Sequence, residues 1–226
     1  MSDAKARFYD TIADEFDELS NQYDTRRRLE IVFDELLKDH DLRDRSVLDV
    51  GCGSGQFSQW AAGRGARLTS LDIGVRLLDH TRRRCSTRPV AADACRLPFV
   101  SDSFDVVISS ECIEHTIDPR LALREIYRVT RPGGLLVVTV PNQLWHFAIT
   151  IANTLNLRPF HGYENWLRWG ELRNELRQAG AQIEQLRGFH LVPPIVRVLQ
   201  PLLRSLDAYG RMLGPLMLNI AVLGRK

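Results

Sequence analysis

Two acids and a histidine stand close together in the stretch ECIEH, residues 111–115. Glu111, Glu114 and His115 are spaced i, i+3 and i+4, so on a helical turn they would project from one side. An imidazole or carboxylate placed in this way can act as a general base. Two carboxylates and an imidazole could also hold a hard divalent ion such as Mg²⁺ or Mn²⁺. The pattern leaves these roles, and a purely structural one, open.

A run of glycines in VLDVGCGSGQ is the second chemical signal. Glycines directly after a predicted strand allow a tight turn and let a cofactor approach the backbone. Asp72 closes the next predicted strand about 20 residues later, where an acid can hold ribose hydroxyls. The dinucleotide fingerprint is G-x-G-x-x-G, whereas here Gly51 and Gly53 are followed by Gly55, one residue early, and by Gln56. This spacing argues against a nicotinamide oxidoreductase.

These residues lie in a region where strand and helix patterns alternate. The runs SVLDV, ARLTSLDI, PVAAD, FDVVISSE and LLVVTV predict strands, and the amphipathic stretches between them predict helices. The helix PRLALREIYRVT has Pro119 in its first turn, a favoured position, and GQFSQWAAGRG predicts a helix closed by Gly63 or Gly65. The alternation predicts an α/β fold, a doubly wound parallel sheet with helices on both faces.

The flanking segments differ in character. Two amphipathic helices are predicted first, around Lys5–Leu19 and Thr25–Asp39. An aromatic-rich helical segment is predicted over Asn142–Trp169, followed by the helix GELRNELRQAG and the strands AQIEQLRGF and LNIAVLGRK. The amphipathic segment Pro194–Leu213 has regularly spaced arginines beside an apolar face, and such a helix can lie on a membrane surface. Pro201 would kink it, so packing against the sheet is the favoured interpretation.

Composition narrows the classes of function. A chain of 226 residues can form one α/β domain. We predict a single domain over 1–226, with an N-terminal helical cap (1–45), a cofactor-binding half (46–142), and an acceptor lid with the C-terminal strands (143–226). The formal net charge of +2 is too small to suggest nucleic acid as the main partner. Four cysteines without a C-x-x-C pair, a charged N-terminus and no apolar run of about 18 residues predict a cytoplasmic protein without a transmembrane helix.

Four motifs occur in order at the ends of successive predicted strands: VLDVGCGSG, SLDI, AADACRLPFVSDSFDVVISSECIEH and RPGGLLVVTVPN. As a set they resemble the class I S-adenosylmethionine-dependent methyltransferases, over about Ser46–Asn142. The resemblance implies a Rossmann-like, seven-stranded, mostly parallel sheet in which the last strand is antiparallel. It also implies S-adenosylmethionine as the cofactor.

The resemblance assigns the first part of the cofactor site. Asp49 and the loop Gly51–Gly55, which includes Cys52, would hold the methionine part of the cofactor. Asp72 would bind the ribose hydroxyls, and Ile73 would lie beside the adenine. All these residues belong to the motifs VLDVGCGSG and SLDI.

The later motifs complete that site. By the same resemblance, Asp93 would receive the adenine amino group, and Ala94 would supply a backbone contact. Ser109 and Glu111 would lie under the sulfonium. The stretch RFYDTIADEFD resembles the family's N-terminal cap, in which a tyrosine such as Tyr9 covers the cofactor. An ordinary helix packed on the sheet is the alternative for that stretch.

The ECIEH run resembles two metal-assisted branches of the family, the ubiquinone-biosynthesis O-methyltransferases and the small-RNA 2′-O-methyltransferases. In both, a metal holds the acceptor hydroxyls, and here His146 or His161 could complete a site formed by Glu111, Glu114 and His115. Similar runs also occur in metal-free members of the family. A metal site therefore competes with His115 as a metal-free general base.

Aromatic residues are concentrated after the fifth predicted strand, where this family builds its acceptor lid. Six of the 18 aromatic residues fall there: Trp145, Phe147, Phe160, Tyr163, Trp166 and Trp169. Aromatic surface with a few polar groups suits an apolar or ring-bearing small molecule, although the rings could also form the core of a helical cap. The predicted acceptor contacts are Trp145, His146, His161, Tyr163 and Trp166.

Together these signals predict S-adenosylmethionine-dependent methyl transfer to an oxygen of a small aromatic or lipid-like acceptor. A lipid-like acceptor would suit peripheral contact with a membrane, and in TRRRLE, residues 25–30, Arg26 could reach an anionic substrate group. One alternative is a metal-assisted RNA 2′-O-methyltransferase, which ECIEH favours and the near-neutral charge opposes. A non-catalytic S-adenosylmethionine-binding protein is the other.

Overall fold

A seven-stranded sheet is the frame of the molecule. The structure, a computed structural model, describes residues 2–147, 164–191 and 204–226, with side chains from residue 6 onward. The strands are β1 (Ser46–Val50), β2 (Arg67–Asp72), β3 (Arg88–Ala91), β4 (Phe104–Ser110), β5 (Thr130–Pro141), β6 (Gln182–Phe189) and β7 (Asn219–Arg225). Their order is β3-β2-β1-β4-β5-β7-β6. Strands β1 to β5 are parallel, and β7 runs antiparallel to β5 and β6. The predicted fold class, including the antiparallel last strand, is confirmed.

Helices cover both faces of the sheet. They are α1 (Ser2–Thr11), α2 (Phe16–Leu19), α3 (Gln22–Leu29), α4 (Gln56–Ala62), α5 (Val75–Arg84), α6 (Pro119–Val129) and α7 (Trp169–Ala179). A π-helical turn, Glu30–Leu36, continues α3. Short 3₁₀ turns occur at Ile113–His115, Gln143–Trp145, Asp207–Tyr209 and Gly214–Leu216. None of the described helices has an apolar stretch long enough to cross a membrane.

The core lies on both sides of the sheet because successive strand residues point to opposite faces. Val107 of β4 packs into the cluster that includes apolar residues of α6 and α7. Its neighbour Val106 packs into the other cluster, with residues of the π-helical turn and α4. Burying a side chain of this size contributes about 1.5–3 kcal/mol. The strands β1, β4 and β5 are therefore fixed between two apolar layers, and their carboxyl ends meet at one edge.

Local signals set several helix boundaries. Asp118 caps α6, since its Oδ1 accepts hydrogen bonds from the backbone N–H groups of Arg120 and Leu121. Pro119 lies in the first turn of that helix, as predicted. Helix α4 ends at Ala62 with Gly63 as its C-cap, again as predicted. Such capping satisfies backbone groups that have no partner inside the helix.

The two predicted N-terminal helices differ from the observed ones. The first, Lys5–Leu19, is interrupted after Thr11 by a turn, and α2 begins at Phe16. This turn buries Ala13. The second, predicted over Thr25–Asp39, begins at Gln22, because Asn21 caps it with its side chain. It ends at Leu36, where the π-helical turn places Leu36 and Leu37 in the core.

The predicted helical segment Asn142–Trp169 is only partly described. It holds the 3₁₀ turn Gln143–Trp145, while residues 164–168 are not helical, and 148–163 lie outside the described residues. Leu167 pairs with Asn142 in an isolated parallel bridge instead. Of the segment Pro194–Leu213, the described part begins at Arg204 and includes the turn at Asp207.

A buried ion pair joins the N-terminal helices to the C-terminal part of the chain. Nε of Arg27 lies 2.7 Å from Oδ2 of Asp207, and both side chains are almost fully buried. Oδ1 of Asp207 also accepts a hydrogen bond from the backbone N–H of His190, at 2.7 Å. Glu35 contacts Arg27 at 2.8 Å and forms an ion pair with Arg187. Removing Asp207 would take away the most buried partner of Arg27 and the acceptor of the His190 N–H.

We predict that Asp207→Ala lowers the free energy of unfolding by about 3–5 kcal/mol. Arg27 would lose its fully buried partner and keep only Glu30 and Glu35, and the backbone N–H of His190 would lose its acceptor. Urea denaturation followed by circular dichroism would measure the change. Asp34→Ala is the matched control, since Asp34 pairs with Arg64 at the surface. Its effect should stay within about 1 kcal/mol. Equal effects of the two substitutions would contradict the prediction.

Candidate active site

The loop between β1 and α4 has a backbone conformation that glycine adopts without strain. Gly51, Gly53 and Gly55 have φ angles of 74°, 54° and 90°, in the left-handed region. A Cβ atom at Gly51 would lie 2.2 Å from Sγ of Cys112, and one at Gly53 would lie 2.9 Å from the ring of Phe16. The glycines thus provide both a turn and close approach of other groups to the backbone.

Asp72 ends β2 with a buried side chain that holds this loop. Its Oδ2 accepts a hydrogen bond from the backbone N–H of Gly53, and its Oδ1 accepts one from Gly74, both at 2.9 Å. Burial raises the pKa of Asp72, and the backbone donors partly offset that effect. Ile73, the predicted neighbour of the adenine, directly follows Asp72 and is half-buried. Asp72 is thus fixed beside the glycine loop, and its binding of ribose hydroxyls remains a prediction.

The predicted adenine contacts lie at the same edge of the sheet, after β3. Asp93 is half-buried, and its Oδ1 accepts a hydrogen bond from the backbone N–H of Cys95 at 2.8 Å. Ala94 is buried. In the glycine loop, Sγ of Cys52 lies 3.6 Å from Oγ1 of Thr81. The structure brings these positions to the predicted edge, and their contacts with a cofactor remain predictions.

The N-terminal helices cover this edge with aromatic rings. The ring of Tyr9 lies edge-on to Phe16, at 6.5 Å between centroids, and edge-on to His115, at 6.4 Å. Burial raises the pKa of Tyr9, and the electrostatic effects of Cys112 and Asp72 raise it further. Tyr9 therefore lies over the end of β2 and beside the 3₁₀ turn. This placement fits the predicted cap over the cofactor.

Asp17 fastens the cap to the glycine loop. Its Oδ1 accepts hydrogen bonds from Oγ of Ser54 at 2.5 Å and from Nε2 of Gln56 at 3.1 Å. Its Oδ2 pairs with Arg84 of α5 at 2.5 Å. These donors lower the pKa of Asp17, although burial acts in the opposite direction. The sequence motif that suggested the cap did not single out this acid.

Glu111 does not lie on a helical turn with Glu114 and His115, as the i, i+3, i+4 spacing predicted. Its φ of 51° places it in the left-handed region, and the 3₁₀ turn begins only at Ile113. Non-glycine residues in this conformation are rare and strained, and they cluster at functional sites. Its carboxylate accepts hydrogen bonds from Thr139 at 3.2 Å and Asn219 at 3.3 Å.

The carboxyl group of Glu114 has fewer hydrogen-bond partners than that of Glu111. Its side chain is 3% exposed, and within the described part of the chain its Oε2 has no hydrogen-bond partner. Burial raises the pKa of Glu114 well above the ordinary value, and nearby Glu111 raises it further. Oε1 lies 3.9 Å from Nε2 of His115. Such a group favours accepting a proton or a hydrogen bond.

Ser109 is fully buried at the end of β4, beside the thiol of Cys112. Burial raises the pKa of Cys112 well above that of an ordinary thiol, and Asp72 and Glu114 raise it further. The side chain of Cys112 lies against Gly51. Ser109 contacts that thiol, and Glu111 directly precedes Cys112 in the chain, so both residues lie near the glycine loop. Their predicted position under the sulfonium is untested.

Arg28 is a site residue that the sequence did not reveal. Its Nε pairs with Asp24 at 2.9 Å, and its Nη1 lies 3.3 Å from Oγ of Ser110. Asp24 and Glu111 raise the pKa of Arg28 against the effect of burial. The sequence pointed to Arg26, whose side chain is 77% exposed. All three arginines of TRRRLE look alike in sequence, so only packing distinguishes them.

Part of the predicted acceptor surface is present. His146 and Trp166 meet edge to face, with ring centroids 5.5 Å apart. Both line a cavity of about 610 Å³ at the start of α6, which Glu164 and Asn165 also line. Trp145 is absent from that lining, and its indole N–H bonds to the carbonyl of Leu216. The predicted contacts His161 and Tyr163 lie outside the described residues.

Residues 164–168 form a strap between two parts of the site. The backbone N–H of Asn165 donates to the carbonyl of Glu114 at 2.7 Å, and its side-chain amide donates to the carbonyl of Thr116 at 2.8 Å. On the other side, the N–H of Gln143 donates to the carbonyl of Leu167. The strap thus connects the acidic turn with the end of β5.

The predicted metal site gains no support from this geometry. The described residues contain no group of three or more His, Cys, Asp or Glu side chains arranged to hold a metal ion. Both carboxylate oxygens of Glu111 already accept hydrogen bonds, so Glu111, Glu114 and His115 do not present a common donor set.

Comparison with known proteins identifies the family. A methyltransferase-domain family model matches residues 48–138. The ubiquinone biosynthesis O-methyltransferase of Marinobacter nauticus is 32% identical over 166 residues, which cover 67% of this chain and 70% of that protein. A probable S-adenosylmethionine-dependent methyltransferase of Mycolicibacterium smegmatis is 33% identical, over 73% of this chain and 62% of its own length. The chain belongs to the S-adenosylmethionine-dependent methyltransferases.

Solved structures show the same fold. The putative methyltransferase of Haloferax volcanii, in complex with the activator Trm112, has a TM-score of 0.69 and 20% identity, covering 96% of both chains. The magnesium protoporphyrin IX methyltransferase of Synechocystis, with bound S-adenosylhomocysteine, has a TM-score of 0.65 and 14% identity, covering 89% of this chain and 83% of its own. These structures show the fold, and the family membership supports S-adenosylmethionine as the methyl donor.

The residues at this edge fit the family's cofactor. Side chains at Gly51 and Gly53 would collide with their neighbours, and Asp72 offers a buried carboxyl beside the loop. Asp49, which is also buried, would face the methionine part together with the loop. The aromatic cap of Tyr9 would close the site.

We predict that Gly51→Ala weakens binding of S-adenosylhomocysteine at least tenfold, because the new Cβ would meet the side chain of Cys112. Isothermal titration calorimetry would measure the dissociation constant. Gly133→Ala is the matched control, because Gly133 also has a positive φ, of 73°, but nothing lies within 4 Å of its added Cβ. Gly133→Ala should lose about 1 kcal/mol of stability because of its positive φ, and Gly51→Ala should lose more because its Cβ also meets Cys112. Unchanged affinity in Gly51→Ala would contradict the prediction.

Proposed function

We propose that this methyltransferase transfers the methyl group to a hydroxyl oxygen of a small organic acceptor, and that Glu114 takes the hydroxyl proton. One observation carries the proposal: the carboxyl of Glu114 is buried beside the site, and its Oε2 has no hydrogen-bond partner within the described residues. A hydroxyl must lose its proton to become a good nucleophile, and a positioned base contributes about 10²–10⁴-fold to the rate. The 32% identity to ubiquinone biosynthesis O-methyltransferases supports oxygen as the accepting atom.

S-adenosylmethionine supplies an electrophilic methyl group when it is bound. The protein must bind the cofactor and the acceptor, orient them toward each other, and exclude water from the site. The glycine loop and Asp72 would hold the cofactor against the ends of β1 and β2, and Tyr9 would cover it. Glu114 would then accept the proton of an acceptor hydroxyl that enters from the side of the strap. Correct positioning of the two reactants supplies several kcal/mol, about 7–11 in well-oriented systems.

The environment of Glu114 sets its strength as a base. Burial raises its pKa most, Glu111 raises it further, and Arg28 lowers it. Burial likewise raises the pKa of Glu111, to about 7, while Arg28 lowers it. A carboxylate with a raised pKa binds a proton more strongly than an ordinary one. The ionised form of Glu114 is the active base, so activity should rise as the pH increases through its raised pKa.

The cavity at the start of α6 is the proposed entrance for the acceptor. His146 and Trp166 offer aromatic rings there, and Glu164 and Asn165 offer polar atoms. Asn165 also donates to the backbone carbonyl of Glu114, and Glu164 acts electrostatically on the carboxyl of Glu114, so the cavity lies close to the segment that carries the proposed base. A hydroxylated ring matches this mixture of surfaces better than a purely aliphatic molecule does.

A pair of ring compounds that differ in one group would test the accepting atom. Methyl-labelled S-adenosylmethionine is incubated with phenolic acceptors and with the corresponding anilines, and products are identified by mass spectrometry. Methylation of the phenols supports the proposal, and methylation of the anilines alone would overturn it. Parallel assays with EDTA and with added Mg²⁺ or Mn²⁺ decide whether a metal takes part.

We predict that Glu114→Gln lowers kcat/KM by about 10²–10⁴-fold and removes its rise with pH, because the amide cannot take a proton. In the unaltered enzyme, kcat/KM should rise with pH along a limb placed above the ordinary glutamate pKa. Steady-state rates across pH, with calorimetric binding of S-adenosylhomocysteine, would measure both effects.

Glu184→Gln serves as the control, since Glu184 pairs with Arg225 at the far edge of the sheet. It should leave rate and pH profile unchanged. If Glu114→Gln retained the pH dependence and more than about a third of the activity, Glu114 would not be the base.

A further inference from the structure

A chain of hydroxyl groups leads from Asp49 in β1 through two buried serines to the half-buried Thr87. Oγ of Ser58 donates a hydrogen bond to Oδ2 of Asp49 at 2.6 Å. The hydroxyls of Ser58 and Ser70 lie 2.7 Å apart, and those of Ser70 and Thr87 also lie 2.7 Å apart. Asp49, Ser58 and Ser70 are buried, and Thr87 is half-buried. The side chains of Asp49 in β1, Ser58 in α4, Ser70 in β2 and Thr87 in the loop before β3 thus form one continuous hydrogen-bonded chain.

This chain can run in either direction. With Asp49 ionised, Thr87 donates to Ser70, Ser70 to Ser58, and Ser58 to the carboxylate. With Asp49 protonated, every bond reverses, and the hydroxyl of Thr87 donates to the carbonyl of Leu68, which lies 3.3 Å away. Both states leave each buried hydroxyl hydrogen satisfied, so neither carries the cost of an unpaired buried group.

The surroundings of Asp49 make its charge sensitive to a ligand. Burial raises the pKa of Asp49 to about 7, and Asp72 adds to that effect. The titratable groups that face it are Asp72 at the end of β2, Cys52 in the glycine loop, Cys85 after α5 and Cys112 after β4. All of these would be neutral or negative. A positive charge brought to the glycine loop would therefore favour the ionised carboxylate.

We propose that Asp49 releases its proton when a sulfonium cation binds at the glycine loop, and that the proton leaves through Ser58, Ser70 and Thr87. The O–H bond of Asp49 breaks as Ser58 gains a proton; Ser58 passes its own to Ser70, Ser70 to Thr87, and Thr87 to solvent. One proton and no electrons are transferred in total. Release of the uncharged thioether product would reverse the sequence. The inference rests on the proposed cofactor site.

Calorimetry in two buffers of different ionisation enthalpy would test the release of the proton. S-adenosylmethionine and S-adenosylhomocysteine differ in the sulfonium charge, so near pH 7 the first should release more protons, by a fraction of one up to about one. The difference should disappear in Asp49→Asn. It should persist in Glu111→Gln and Glu114→Gln, which remove the other carboxyls with a raised pKa near the site.

Ser70→Ala tests the chain itself. This substitution removes a single buried oxygen and interrupts the line between Ser58 and Thr87, so the pH midpoint of proton release should move upward, because the ionised carboxylate loses support. Equal proton release by the two ligands, or a difference that vanishes in Glu114→Gln and persists in Asp49→Asn, would overturn the inference. An unchanged midpoint in Ser70→Ala would show that the chain does not support the ionised carboxylate, and an unchanged rate of proton release, followed with a pH indicator after rapid mixing, would overturn the route. Failure of both ligands to bind would instead refute the cofactor site.

Discussion

The carboxyl ends of β1, β2 and β4 bring Asp49, Asp72, Glu111 and Glu114 into one buried region. Burial raises the pKa of each of them, because a low-dielectric environment disfavours charge. The protein compensates differently at each position: backbone N–H groups at Asp72, a serine at Asp49, and Thr139 with Asn219 at Glu111. Glu114 receives the least compensation. The other features of the site, from the glycine turn to the strap, position or shield these acids.

The parallel sheet could be predicted because its signals are local and repeated. Apolar runs of strand length alternate with amphipathic stretches, and the glycine loop follows the first strand in sequence as it does in space. The predicted cofactor residues Asp49, Asp72 and Asp93 fall at one edge for that reason: parallel strands end on the same side. Pro119 and Asn21 are both local signals of a helix start: the first start was predicted correctly, and the second, predicted at Thr25, lies at Gln22.

The remaining parts of the site depend on packing between distant segments, which one sequence does not encode locally. Arg28 and Arg26 occupy equivalent positions in an arginine run, yet one is buried beside Ser110 and the other is exposed. The spacing in ECIEH suggested a helical turn, but pairing of β4 with β5 extends to Ser110 and leaves Glu111 in a left-handed conformation. The roles of Glu114 and Asp49 depend on burial, which residue type alone does not predict.

The pair formed by Arg27 and Asp207 spans 180 positions of the chain. Closing so long a segment costs conformational entropy before the ion pair can stabilise the fold, and long-range contacts of this kind slow folding. During synthesis, α3, which carries Arg27 and Arg28, is therefore completed long before Asp207, the residue that pairs with Arg27. The sheet from β1 to β5 can assemble in the meantime, since its strands follow one another closely. The contact that fixes α3 to the C-terminal part of the chain can therefore form only after Asp207 has been synthesised.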